Sequence, residues 1–243
     1  MLHVAPSLFA RASVPRALKR RGTSCLPGPT PLNLRVMAGD TDRQSPVILL
    51  DVMDTIVRDP FFTHMPGFFG MTFEQLLEEK HPSTWVDFEK GEIDQEELFS
   101  RFFKDGRSFD GDAFLEFVCS KYHFVDGMEG ILQLLAGAGY EMHAFSNYPL
   151  WYRRIEDKLH LRRYLKWTFV SCDGPMKGFR KPSKEAFQLV INHLGRPASD
   201  IIVIDDRETN VEAARAFGMR SIRFKDSVQL KNDLKNLELQ LTE

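Results

Sequence analysis

Two short apolar runs constrain this chain more than anything else in it. Ile48-Leu49-Leu50 stops at Asp51, and the β-branched run Ile201-Ile202-Val203-Ile204 stops at two adjacent acids, Asp205 and Asp206. Unbroken apolar runs of this length read as buried strands. Each then offers carboxylate at the carboxyl end of its strand, where open α/β sheets keep their chemistry. A third strand signal, Met142-His143-Ala144-Phe145, ends in the hydroxyl of Ser146 and the amide of Asn147, and Arg180-Lys181-Pro182 sets an ammonium on a turn. In chain order the polar groups are therefore a carboxylate, a hydroxyl with an amide, an ammonium and a pair of carboxylates.

The segments between these runs have helical spacing. Met128, Ile131, Leu132, Leu134 and Leu135 give helical spacing that ends in Gly137 and Gly139; Trp151, Ile155 and Leu159 give a second helix at i, i+4, i+8. Residues 166–171 alternate towards a strand. Ser183 is placed to cap a helix carrying Phe187, Val190, Ile191 and Leu194, and 208–217 reads as a helix stopped by Gly218 before a last strand at 221–224. Strands alternating with single helices predict an α/β fold with a doubly wound parallel sheet. From residue 60 to 124 the pattern changes to helical stretches without a convincing strand. Thr72-Phe73-Glu74-Gln75 and Asp94-Gln95-Glu96-Glu97 read as capping boxes there. The stretch is dense in aromatics, most of which a module so small needs as core. Phe61, Phe62, Phe68 and Phe69 lie nearest the first strand and are the candidates to stack on a flat ring substrate.

Charge is distributed unevenly. Residues 1–39 hold Arg11, Arg16, Lys19, Arg20, Arg21 and Arg35 and no acid; removing these six from the 32 basic residues leaves 26 against 34 acidic ones, a net of −8. A body that acidic repels nucleic-acid phosphates. The first 39 residues, rich in Arg, Ser, Thr, Pro and Gly, have the composition of an organelle transit peptide, and Leu34-Arg35-Val36-Met37-Ala38 resembles a plastid processing site. The prolines that interrupt any amphipathic Arg helix put a plastid stroma ahead of a mitochondrion. No apolar run approaches the length of a membrane span. Cys25 departs with the leader, and Cys119 and Cys172 read as small buried residues in a reducing compartment. The oligomeric state is open.

The four polar motifs, in this order and at strand ends, resemble those of the haloacid dehalogenase superfamily. The stretch 50–60, with Asn147-Tyr148-Pro149, Ile155-Glu156-Asp157-Lys158-Leu159 and Asp205-Asp206-Arg207, is similar more narrowly to the plastid flavin mononucleotide hydrolases of that superfamily. The resemblance implies a core of residues 40–59 and 125–243 and a helical cap at 60–124. It implies Asp51 as the nucleophile of a phosphate monoester hydrolase and an aspartyl phosphate intermediate. It further implies Mg²⁺ held by Asp51, the Met53 carbonyl, Asp206 and Asp205, with charge stabilisation by Lys181 and phosphate contacts from Thr55, Ser146, Asn147 and Lys181. The expected substrate is a small phosphorylated metabolite, flavin mononucleotide, hydrolysed to riboflavin; a phosphorylated ribitylaminouracil precursor is the related alternative.

Met53 is the departure. Phosphatases of the superfamily carry a second Asp there to protonate the leaving alkoxide, a role worth about 10² to 10⁴ in rate, and a thioether does not donate a proton. Asp54 falls one place late, on the opposite side of an extended chain. Asp54 after a sharp turn, a cap residue such as His64, and a group of the substrate all remain open as the proton carrier. Met53 also keeps two other readings alive, a haloacid dehalogenase, against which Asp205-Asp206 argues, and a phosphometabolite-binding protein without turnover.

Overall fold

The computed structural model describes residues 45–241. The expected leader, with Cys25, lies outside them. Five strands, β1 (Val47–Leu50), β2 (Met142–Ser146), β3 (Lys166–Val170), β4 (Ile201–Asp205) and β5 (Arg220–Arg223), form one sheet in the order β3-β2-β1-β4-β5, every pairing parallel. Side chains alternate across a strand, and the alternation explains why the central runs are apolar throughout. Ile48 and Leu50 of β1, with Ile202 and Ile204 of β4, pack into one core; Val47 and Leu49, with Ile201 and Val203, pack into the other. A parallel sheet covered on both faces has no polar side.

Helices supply the two covers. Before the sheet turns back through β2, the chain runs through α1 (Pro60–Thr63), α2 (Met65–Phe68), α3 (Phe73–Glu79), α4 (Thr84–Glu89), α5 (Gln95–Ser100) and α6 (Gly111–Lys121). It then passes through α7 (Met128–Gly137) and, after β2, α8 (Tyr152–Leu159). The last three helices are α9 (Lys184–Leu194), α10 (Glu208–Ala216) and α11 (Ser227–Asn236). Met128, Ile131, Leu132 and Leu135 of α7 join Leu230 and Leu234 of α11 on one face; Ala186, Phe187 and Val190 of α9 join Ala214 of α10 on the other. The expected doubly wound α/β sheet is the fold observed. Helix α11 was not foreseen, because its only buried apolar pair, Leu230 and Leu234, is a single i, i+4 spacing in a polar tail.

Between β1 and α7 no strand is named among the described residues, in line with the pattern change at residue 60. The first capping box is complete, with Thr72 Oγ1 accepting from Gln75 N at 3.2 Å and Gln75 Oε1 accepting from Thr72 N at 2.8 Å. The second is half made. Asp94 accepts from Glu97 N at 2.8 Å, but the Glu97 carboxylate turns to Arg101 at 2.6 Å, four residues on. Phe68 and Phe69 are core residues, packed against Phe102, Phe103, Phe109, Phe114 and Phe117 at centroid distances of 5.0 to 5.4 Å. Neither reaches the cleft described below, so neither stacks on a substrate there.

This helical segment is tied to the sheet side by polar contacts. Trp151 Nε1 donates to Gln95 Oε1 at 2.8 Å, Arg180 Nη2 to Glu89 Oε2 at 2.8 Å, and Lys158 Nζ to the Cys119 and Ser120 carbonyls at 3.0 and 2.8 Å. A close backbone approach lies at Gly91, just past α4. Its φ of +67° is left-handed, and a Cβ there would lie 2.7 Å from the Cys172 carbonyl oxygen. Gly91→Ala is therefore expected to destabilise the fold by about 1–3 kcal/mol through backbone strain, with further loss from the clash. Urea unfolding of the variant checks this, and an unchanged midpoint would contradict the close approach.

Candidate active site

Register brings the acids together. Leu50 lies opposite Ile204, and Asp51 N donates to the Ile204 carbonyl at 2.9 Å, so Asp51 and Asp205 leave neighbouring strands side by side. Both continue the side of the sheet that Leu49 and Val203 face, the side α9 covers. Lys181 sits three residues before α9 and enters from there. Its ammonium is 2.8 Å from Asp51 Oδ1, 2.6 Å from Asp205 Oδ2 and 5.0 Å from the centre of the Phe145 ring. Lys181 is 1% exposed and Asp205 is fully buried, while Asp51, at 8%, keeps an edge open to the cleft.

Asn147 holds the lysine in place. Its Nδ2 donates to the Lys181 carbonyl and its Oδ1 accepts from Lys181 N, both at 2.8 Å. Those bonds make Asn147 a splint for the Lys181 backbone, a job the sequence did not reveal. Asp205 is saturated with donors: beyond Lys181 it accepts from Arg207 N at 2.9 Å and from Asn210 Nδ2 at 3.0 Å. Asp206 differs. Ligand oxygens of Asp51, Asp205 and Asp206 lie within 4.8 Å of one another, yet Asp206 Oδ1 is buried without a hydrogen-bond partner. The Thr55 and Ser146 hydroxyls are also fully buried and unpartnered. An unsatisfied buried polar atom costs about 1–3 kcal/mol, so three of them at one end of the sheet point to a ligand that satisfies them.

Past Asp51 the chain makes a tight turn. Ile56 N and Val57 N both donate to the Val52 carbonyl at 2.8 Å, and Asp54, at φ +55°, donates its N–H to the Val57 carbonyl at 2.7 Å. Asp tolerates this left-handed conformation better than most residues. The turn undoes the strict alternation expected of an extended chain: Met53 and Asp54 both line the cleft above Asp51, whereas His64 is not among its lining residues.

The cleft holds about 240 Å³. Asp51, Lys181, Asn147 and Asp206 form its inner end, and Phe61, Phe62, Leu77 and Trp85 of the helical segment form an apolar wall. Phe62 and Leu77 are 45% and 44% exposed, unusual for such large apolar side chains. Phe61 and Trp85 lie 6.1 Å apart, their rings tilted by 30°. Polar wall groups are Asp59, Lys80, Glu89, Arg180 and Arg207. Glu89 accepts from Trp85 Nε1 at 2.7 Å and from Arg180, joining the aromatic wall to the turn that carries Lys181. A larger groove of about 580 Å³ beside β5 and α11 is lined by a surface ion pair, and among the described residues it holds no such carboxylate cluster.

Burial dominates the electrostatics. It pushes Asp51 up to about 8, against the pull of Lys181 and with the help of Asp205 and Asp206. Burial and then Asp205 raise Asp206, and burial carries Asp59 up to about 6. Burial raises Glu89 as well, with Arg180 opposing. For Lys181 burial works against the charge, and the Asp205 and Asp51 carboxylates overcome it, so the ammonium persists. Three carboxyl groups against one ammonium form a donor set able to hold a divalent cation. Cys172 is buried, with its thiol pushed up to about 12 by burial, and Cys119 is half-buried, more open than expected; neither is activated as a nucleophile.

Sequence reasoning therefore found the inner end and missed most of the wall. Lys80, Glu89 and Asn210 carried no motif, and Asp59 and Arg180 lay inside quoted stretches without being given a role. Only Asp59-Pro60 gave a local signal, a helix cap before a first-turn proline, and that signal is structural.

Comparison with known proteins accords with this architecture. Residues 48–218 match the family model of haloacid dehalogenase-like hydrolases. The chain is 50% identical over 200 residues to the chloroplast flavin mononucleotide hydrolase 1 of Arabidopsis thaliana, covering 82% of this chain and 80% of that protein. It is 24% identical to a sesquiterpene phosphatase of Aspergillus oryzae, over 63% of this chain and 79% of the other. Among solved structures, a haloacid dehalogenase family enzyme of Bacteroides thetaiotaomicron in complex with magnesium and inorganic phosphate superposes with a TM-score of 0.59 at 20% identity, covering 76% of this chain and 96% of that one. The L-2-haloacid dehalogenase of Xanthobacter autotrophicus gives 0.54 at 14%, over 82% and 85%. At such identities these two share the fold. The family match and the 50% relative carry more: the chain belongs to the haloacid dehalogenase-like hydrolase family, as an enzyme of its phosphatase kind.

Proposed function

We propose that this enzyme hydrolyses flavin mononucleotide to riboflavin and phosphate by passing the phosphoryl group through Asp51. The observation that carries the reaction class is the buried Asp51–Lys181–Asp205 triad beside an unpartnered Asp206 oxygen. The substrate rests on the 50% identical relative and is supported by the apolar wall of Phe61, Phe62 and Trp85, a surface suited to a flat ring. The helices of residues 60–124 act as the cap that carries this wall. The same likeness, with the Arg-rich, acid-free first 39 residues, favours a plastid address over a mitochondrial one.

The donor set fits Mg²⁺. Hard carboxylate oxygens from Asp51 and Asp206 and the Met53 carbonyl would hold it, the first two being the carboxylates with oxygens left over. Asp205, its oxygens taken up by Lys181, Arg207 N and Asn210, orients rather than ligates. When bound, the cation neutralises phosphoryl oxygens so that an anionic nucleophile can approach an anionic ester. Asp51 forms the bond to phosphorus, giving an aspartyl phosphate. Lys181 keeps Asp51 oriented and offsets the charge of the transferred group, and the Thr55 and Ser146 hydroxyls find in its oxygens the partners they lack. Water then cleaves the acyl phosphate and restores Asp51. Met53 favours a second reading, phosphometabolite binding without turnover, and phosphate release decides between them.

Residues 39–243, assayed against a panel of phosphate esters with and without chelator, are expected to release phosphate from flavin mononucleotide only with a divalent cation. Chelator-resistant release would remove the cation, and no release would leave the binding reading. Asp51→Asn should abolish release in a folded protein, while Asp206→Asn should raise the Mg²⁺ concentration needed for half-maximal rate far more than Asp205→Asn; the reverse order would exchange the two roles.

The cation also has a signature in stability. Asp51 at about 8 lies above its ordinary 3.8, so the folded state keeps a proton that the unfolded chain has released. Stability from this group therefore falls as pH rises from about 4 to about 8. Melting temperature without metal should decline over that window, and saturating Mg²⁺, binding the ionised carboxylates of the folded state alone, should flatten or reverse the decline. Superimposable profiles would speak against the site.

A further inference from the structure

The departing alkoxide needs a proton, and the residue two places after Asp51 is a methionine. We propose that Asp59, delivered to the cleft by a second pass of the chain, is the acid that protonates the leaving oxygen. This rests on the phosphatase reading above and concerns a residue to which that reading gives no role.

Geometry makes the case. After the tight turn, Val57 pairs in parallel with Met53, and Arg58 N donates to the His123 carbonyl at 3.0 Å, so the chain climbs past Met53 a second time. Two residues beyond Val57, Asp59 reaches the cleft wall, where it shares the cavity with Asp51 and Lys181. Asp59 Oδ1 accepts from Phe61 N at 2.9 Å as the cap of α1, which fixes the carboxyl. Its Oδ2 has no hydrogen-bond partner among the described residues, leaving that oxygen to carry the proton. The groups around it are the Asp54 and Glu89 carboxylates, which favour the protonated form, Arg207, which opposes it, and the hydroxyls of Tyr148 and Tyr122, themselves joined at 2.8 Å. Burial is the largest influence and carries the carboxyl up to about 6, near where a general acid works well.

Asp54 also lines the cleft. Its Oδ1 accepts from Asp59 N at 3.1 Å, which makes it the residue that holds Asp59 in position. The steps balance. As Asp51 bonds to phosphorus and the phosphorus–alkoxide bond breaks, the Asp59 proton passes to the alkoxide, giving the free alcohol and an Asp59 carboxylate. That carboxylate then takes a proton from the water that attacks the aspartyl phosphate, releasing phosphate and regenerating the Asp59 acid and the Asp51 carboxylate.

The test uses leaving-group chemistry, since a phenol acidic enough to depart unaided has no need of an acid. Asn and Ser cap a helix about as well as Asp, so Asp59→Asn and Asp59→Ser keep the α1 cap and remove the acid. Each is expected to lower kcat on flavin mononucleotide by about 10²- to 10⁴-fold and kcat on 4-nitrophenyl phosphate by less than about tenfold, with melting temperature near wild type. Met53→Asp placed in the Asp59→Asn background should restore kcat on flavin mononucleotide at least about tenfold, because it puts a carboxyl back beside Asp51. Equal losses on both esters in a folded variant, the leaving-group pattern appearing in Asp54→Asn instead, or no rescue would each overturn the assignment. Wild-type turnover of both esters with an unaltered Asp59→Asn would overturn it while leaving the phosphatase reading intact, whereas wild-type turnover of neither would sink both.

Discussion

The Lys181 ammonium between Asp51 and Asp205 is the contact on which the site depends. An ammonium and two carboxyl groups buried within hydrogen-bond distance are unfavourable to assemble, and removing one partner of such a group costs about 3–5 kcal/mol because the others are stranded. The molecule tolerates the arrangement because every part is braced. Asn147 grips the lysine backbone on both sides, Asn210 and Arg207 N complete Asp205, and the register of β1 with β4 sets the two acids level. Asp51 is thereby presented in one orientation, with its remaining oxygen toward the cleft that Asp206 shares.

The second constraint is the wall. Phe61, Phe62 and Trp85 belong to helices inserted between β1 and α7, and they reach the inner end only because this segment is anchored at Gly91, Gln95 and Glu89. The Glu89–Arg180 pair has particular reach. It ties α4 to the residue before Lys181 while Glu89 also holds the Trp85 indole, so the ring-facing surface and the charged inner end share one connection. Aromatic packing behind the wall, from Phe68 and Phe69 through Phe102, Phe103, Phe109 and Phe114, joins these short helices to the core on one face of the sheet.

Much of this was legible without coordinates. Asp51, Ser146, Lys181 and the Asp205-Asp206 pair were found because each follows a strand or precedes a helix in a pattern that the backbone enforces, and the strand and helix positions followed from apolar periodicity. Departures came where local rules met tertiary ones. Glu97 abandoned its capping box for Arg101, an exposed pair one turn away. Asp54, expected on the wrong side of an extended chain, turned into the cleft because a left-handed residue broke the extension. Phe68 and Phe69 turn into aromatic packing while Phe61 and Phe62 line the cleft, a difference that spacing within such short helices does not resolve.

The sequence alone determined the sheet, its winding and the identity of the charged groups at its end, since apolar runs buried on both faces and acids at their termini are properties of the chain read locally. Tertiary structure decided how those groups divide their work. Asp205 and Asp206 are neighbours of identical chemistry, and only packing shows one saturated by Lys181, Arg207 N and Asn210 and the other with an oxygen to spare. Asp59 and Glu89 became members of the cleft for the same reason: burial and the company of distant residues, which shift a carboxyl and aim it, are not encoded in any short stretch of sequence.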